Sequence, residues 1–163
     1  MNSDSRATTY SYRGARAMVL LHEEYLRSCL RTWKLGKEAG ILLPVTDDPD
    51  YESMESLLRH ILGAARGYMV WMCEKLELPD PTIDPVPNLD KIAELGESYL
   101  EHLLERWRTP LRDVSVERFG IPTYPSRWGV DYCIDAMLEH AVRHPIRHEF
   151  QLKELIRVRG EES

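Results

Sequence analysis

Apolar residues recur every three or four positions along four stretches of this chain, and charged residues fill most of the gaps. Between residues 15 and 37 one line runs through Ala15, Val19, His22, Leu26, Cys29 and Trp33, the spacing of a single α-helical face. Gly36 and Gly40 weaken that helix toward its end, and Pro44 stops any continuation. A second helix is predicted from Asp48-Pro49, where a capping aspartate precedes a proline at the first helical position. It runs to about residue 77, with Ser53, Leu57, His60, Ala64, Gly67 and Trp71 inward. Asn88 caps a third, whose inward line is Ile92, Leu95, Tyr99, Leu103 and Trp107. The fourth spans about 130–157, with Met137, Ala141 and Leu155 on its apolar stripe.

The connections are equally telling. Residues 78–88 hold four prolines in eleven positions, too many for a helix and stiff enough to carry the chain across the end of a bundle. Residues 110–128 read as a loop with aromatic anchors, and residues 1–13 as a loose tail in which Tyr10 and Tyr12 can dock on the body. No stretch sustains the period-two alternation of a strand. The expectation is an all-α fold, one domain over 1–163, built as a four-helix bundle with a long proline-rich crossover between helices two and three.

Composition narrows the setting. A chain of 163 residues buries enough surface to fold without a disulfide or a metal, so a metal here would serve function first. The net charge of −6 argues against general affinity for nucleic acid, which needs clustered cations. Cys29, Cys73 and Cys133 are odd in number and widely spaced, the usage of reduced thiols in a cytoplasm. No segment approaches the ~18 apolar residues of a membrane span, and the polar start does not read as a signal peptide. A cytoplasmic protein is expected.

The histidines carry the candidate chemistry. Three of the six stand at His140, His144 and His148, each one helical turn after the last, within a sector of about 80° on the apolar stripe. His60 is the one ionisable group on the inward line of helix two, amid Gly63, Ala64, Ala65 and Gly67. Those small residues either admit a neighbouring helix or leave space beside His60. In a bundle, His60 can meet His144 and His148, and three nitrogen ligands with one position open are the form of a catalytic zinc site. Imidazole suits zinc, nickel, copper and iron alike. The plainer alternative is a set of core-lining histidines hydrogen-bonded to carboxylates. His140 is the candidate catalytic residue, a proton shuttle or a second-layer orienter supported by Glu139 or Glu149, or else an edge histidine. His22 reads as a core histidine and His102 as a solvated one. Pro145 removes a donor to the Ala141 carbonyl and biases His144 away from helical dihedrals. That predicts a bend beyond ~20°, which re-aims His144 or breaks the pair.

Two segments extend this reading. Residues 57–66 (LLRHILGAAR) and 140–151 (HAVRHPIRHEFQ) resemble the second-helix and fourth-helix motifs of the DinB/YfiT-like superfamily of metalloenzymes. There a His-x-x-x-His pair is followed closely by Gln. The match spans nearly the whole chain in length and helix order. The resemblance implies a four-helix bundle with zinc or nickel at His60, His144 and His148. It also implies thiol-dependent S-transfer or isomerisation with a low-molecular-weight thiol whose sulfur binds the metal, and a homodimer. Glu149, where the family commonly has Arg, and Pro145 depart from the pattern. Two functions follow: a metal-dependent enzyme acting on a small molecule, or a non-catalytic metal-binding or degenerate bundle serving as a homodimeric or partner-binding module.

Overall fold

The computed structural model describes residues 9–161. The chain is mostly helical, with four long helices sharing one apolar core. They are α1 (Arg13–Glu38), α2 (Met54–Lys75), α3 (Ile92–Trp107) and α5 (Ile134–Glu161), joined by the single-turn α4 (Glu117–Gly120). α1 packs chiefly against α5, while α2 lies against both α3 and α5. Among the described residues the only strands are β1 (Tyr124–Pro125) and β2 (Asp131–Tyr132), which pair antiparallel with Tyr124 opposite Tyr132.

α1 buries the predicted line, and its stop is built from Gly40. That residue sits at φ +64, with Gly40 N–H on the Lys37 carbonyl at 3.1 Å and Ile41 N–H on the Gly36 carbonyl at 3.1 Å. These two bonds satisfy carbonyls that a helix end leaves orphaned, and the left-handed φ is one that glycine adopts without strain. Before α1, only residues 1–8 of the expected tail lie outside the described residues. The rest is not loose: Ser11 N–H bonds the Arg112 carbonyl at 2.9 Å, and Tyr12 packs on Phe119 with ring centroids 4.8 Å apart.

Helix two starts later than the sequence indicated. Asp48 caps a separate 3-10 turn, Pro49–Tyr51, and Ser53 then caps α2 by accepting from Ser56 N–H at 3.0 Å. The Asp-Pro signal marks a turn that proline pre-sets, and the serine two positions beyond its end opens the helix proper. On α2 the apolar face is Leu57, Leu58, Ile61, Leu62, Ala65, Met69 and Met72. His60, Ala64 and Gly67 lie beside it and are only half-buried. The line taken for the inward stripe is therefore the edge of that stripe.

Residues 76–91 carry no α-helix. α3 is pinned across this segment, with Trp107 Nε1 donating to the Ala65 carbonyl at 3.0 Å and Tyr99 Oη to the Asp84 carbonyl at 2.9 Å. Leu95, expected inward, is 41% exposed; the buried positions are Ile92, Gly96, Tyr99, Leu100, Leu103, Leu104 and Trp107. His102 is not simply solvated, because its Nε2 accepts the backbone N–H of Asp84 at 3.0 Å.

α5 begins at Ile134 rather than residue 130, since the preceding residues pair with β1. The helix keeps its assignment unbroken from Ile134 to Glu161 with Pro145 inside it. His22 is completely buried in the core, stacked on Trp107 with centroids 3.7 Å apart and planes inclined by 20°.

Candidate metal centre

α2 and α5 lie side by side, and their facing edges bring His60, His144 and His148 to one point. His60 Nε2 is 3.0 Å from His144 Nε2, and His144 Nε2 is 3.3 Å from His148 Nε2. One nitrogen of each ring lies within 4.8 Å of the others. Ligands about 2.0–2.1 Å from a tetrahedral ion stand ~3.3 Å apart, so the two spacings to His144 match those around one ion, and the third pair is close enough to share it. Pro145 does not separate the pair. His148 is wholly buried, His144 nearly so, and His60 half-buried, which leaves one side of the triad facing outward.

Two further residues orient the rings. Asp50 Oδ2, on the 3-10 turn ahead of α2, accepts from His60 Nδ1 at 2.8 Å. Gln151 Oε1, one turn after His148, accepts from His148 Nδ1 at 3.2 Å. A neutral imidazole has one N–H and one lone pair. With both Nδ1 atoms donating outward, the neutral rings of His60 and His148 turn Nε2 lone pairs toward His144. His144 has at most one proton at Nε2 to share between them. A shared cation resolves that convergence of lone pairs, and oxygen partners behind each imidazole are the usual second layer of such a site. The donor set thus fits a divalent ion.

The electrostatics point the same way. Burial, followed by the nearby His148 and His60, pushes His144 down to about 2. Burial, followed by His60 and Arg147, takes His148 down to about 4 against the opposing hydrogen bond with Gln151. Both rings are neutral, the ligating form, at any ordinary pH.

His140 stands apart from the triad. Its ring stacks on Trp128 with centroids 5.2 Å apart and meets Tyr68 edge-on at 5.3 Å. Arg143 Nη2 donates to His140 Nδ1 at 3.2 Å, so the neutral ring carries its proton on Nε2. Burial first, then Arg143 and Arg147, holds its pKa below the usual imidazole value. Neither glutamate named for its support plays that part. Glu139 is exposed, and Glu149 turns to α1, where its Oε1 accepts from Ser28 at 2.8 Å and Thr32 at 3.1 Å. The orienting residues are Asp50 and Gln151. Gln151 was visible in the sequence as the glutamine three positions after the last histidine, whereas Asp50 was hidden inside what read as a helix start.

An open cavity of about 850 Å³ adjoins the triad, and both His60 and His144 line it, as does His140. Gly63, Ala64 and Gly67 form its floor, so the small residues of α2 leave space rather than admit a helix. The cysteines are all free thiols, Cys29 and Cys73 buried and Cys133 half-buried. Among the described residues no helix is long and apolar enough to cross a membrane. No protein-family model, no curated protein and no solved structure matches the chain.

Proposed function

We propose that this protein is a divalent-metal-dependent enzyme acting on a small molecule, and that its chemistry is thiol-dependent S-transfer or isomerisation. The observation that carries the metal reading is the outward commitment of the His60 and His148 Nδ1 atoms to Asp50 and Gln151. It leaves nitrogen lone pairs converging with too few protons among them. We also read the four long helices as a four-helix bundle of the DinB/YfiT-like kind, with residues 78–88 as its crossover. That kinship rests on the two histidine motifs and their order along the chain. Zinc or nickel is the proposed metal, and a low-molecular-weight thiol the proposed co-substrate.

A divalent ion supplies Lewis acidity and a lowered pKa for a bound thiol or water, as zinc does for water to about 7. The protein's own contributions are positional. His60, His144 and His148 leave one side of the triad open toward the cavity. Asp50 and Gln151 keep the ligand rings from rotating. His140, with its proton on Nε2, stands at the cavity wall as a donor for a leaving group. Tyr68, Trp71 and Trp128 give the cavity an apolar wall against which a substrate can pack.

Metal content of the untagged protein tests the reading, together with loss of free thiol in a panel of electrophiles. Stoichiometric metal with thiol turnover supports it. Stoichiometric metal without turnover leaves a metal-binding bundle that acts by association, and absence of metal removes the enzyme. A homodimer is part of the same proposal; a monomer mass by light scattering at high concentration removes that part.

A further inference from the structure

The cavity beside the triad has a charge that the chain as a whole does not. The protein carries a net charge of −6, yet Arg59, Arg127 and Arg147 all line this one space. Two carboxylates accompany them, Asp50 and Glu52. Asp50 is already engaged by His60 at 2.8 Å, and Glu52 follows the same 3-10 turn at the His60 end of α2. Arg59 spends its Nε on the Pro87 carbonyl at 3.1 Å. Among the described residues Arg127 and Arg147 form no hydrogen bond or ion pair.

The placement of Arg127 sets a length. Arg127 Nη1 lies 3.6 Å from the point where a Cβ on Gly67 would stand, so the guanidinium sits over that glycine. Seven residues separate His60 from Gly67, about 10 Å along the helix at ~1.5 Å per residue. Next to Arg127 stands Trp128, 48% exposed, held by the stacked His140 at 5.2 Å and by Tyr132 edge-on at 5.5 Å. Gly63 and Ala64 line the same space and present no side chain beyond a methyl. Tyr68 also lines the space. It is 7% exposed, and its hydroxyl has no hydrogen-bond partner among the described residues, so a polar group is held ready beside the apolar wall.

We infer that the cavity selects a flat, aromatic carboxylate, with its ring laid along Trp128 over the Gly63–Gly67 floor and its carboxylate on the two arginines left without a partner, Arg127 and Arg147. This names the substrate class for the metal-dependent enzyme proposed above and rests on that reading for its catalytic meaning, but Arg127, between β1 and β2, belongs to neither of the helices that carry the ligands. An arginine fork matches a carboxylate in geometry as well as charge, and a tryptophan face supplies area for a ring.

The test uses the full-length, metal-loaded protein and three probes of one shape: 2-naphthoate, 2-naphthamide and 2-naphthylmethylammonium. Dissociation constants are measured by calorimetry. The expected order is naphthoate tightest by about tenfold over the amide, with the ammonium weakest. Arg127→Gln and Arg147→Gln each lower naphthoate affinity by about fivefold or more and leave the amide unchanged, the effect of losing one charge-assisted contact. Trp128→Ala weakens both naphthoate and the amide. Repeating the series after chelation, and in His60→Ala, separates this inference from the metal reading. If the preference for naphthoate and its dependence on the arginines persist there, the anion subsite stands whatever the metal assay shows. If naphthoate binding vanishes with the metal and ignores Arg127→Gln, the carboxylate was a metal ligand and the inference is overturned while the metal reading survives. Equal affinity for naphthoate and the amide overturns it, as does failure of all three probes to bind at millimolar concentration.

Discussion

Replacing His22 by Leu should make this protein more stable, and progressively more so as the solution becomes acidic. His22 is 0% exposed, and among the described residues neither ring nitrogen has a hydrogen-bond partner. A neutral imidazole therefore leaves one donor and one acceptor desolvated, at about 1–3 kcal/mol each. Leucine of similar volume removes both costs and forfeits the stack on Trp107, worth ~0.5–1.5 kcal/mol, for a net gain of roughly 1–5 kcal/mol at pH 7. Burial also pushes the His22 pKa from 6.5 down to about 3. Below 6.5 the unfolded chain takes up a proton here that the folded chain refuses, so the wild type loses stability as pH falls through the window from 6.5 to 3. The slope is about 1.4 kcal/mol per pH unit, which widens the gap between variant and wild type by ~2.5 kcal/mol between pH 7 and 4.5. Urea unfolding of both metal-free proteins, followed by helical circular dichroism, measures that gap. Carboxylates and the other histidines titrate alike in the two and cancel. A gap that stays constant across this range refutes the reasoning, for it would mean that His22 finds a partner or a proton in the folded state.

His60→Ala and His148→Ala should each abolish stoichiometric metal while retaining the helical signal, with His102→Ala, bonded to Asp84, as the control that keeps its metal; retention in His60→Ala would remove the site. Asp50→Ala should weaken metal affinity by about 10- to 100-fold, the usual effect of losing an orienting carboxylate, as read by competition with a coloured chelator. With His144 depressed to about 2 and His148 to about 4, neither of these two ligands takes up a proton between pH 6 and 5, so at most one proton can compete with the ion. Apparent affinity should then fall by at most about tenfold per pH unit there, whereas three free imidazoles, each near 6.5, would approach a thousandfold; a slope of two or more protons is the contrary result. Glu149→Ala should cost about 2–3 kcal/mol in thermal unfolding, since the carboxylate is buried and accepts from Ser28 and Thr32, and bonds to an ionised group contribute about that much.

Where one element's pattern sufficed, the sequence could be read directly. α1 buries the expected line, and α5 buries Met137, Ala141, His144 and His148 of its own while Leu155 and His140 stay half-buried, because a period of 3.6 and a long helix leave few choices. His60 joined His144 and His148 because it stood near the apolar edge of its own helix. Other features depended on several elements at once. The Asp-Pro cap could not reveal whether it opened α2 or a 3-10 turn, because both use the same bond; the answer lay in Ser53, a competing cap a few residues on. Asp50 reached the site only through that turn. The loop over 110–128 hid β1, and the start of the predicted fourth helix hid β2, because two-residue strands are too short to show a period. The isolation of His22 is a property of what surrounds it on α3, and nothing within α1 records it.

The two helices that carry the histidines are far apart along the chain, and this gives the centre a topological meaning. His60 and His144 are separated by 84 residues, and an ion bonded to both would tie the intervening chain, α3 and the proline-rich segment included, into a closed ring. A covalent link of that span withdraws roughly 4–5 kcal/mol of conformational entropy from the unfolded chain. A coordinated ion is a link of the same kind that solution conditions can make or undo. Scarcity of metal would then be felt well away from the cavity, as faster opening of α3 and the loops the ring encloses, and amide exchange in residues 76–107 would report the metal supply.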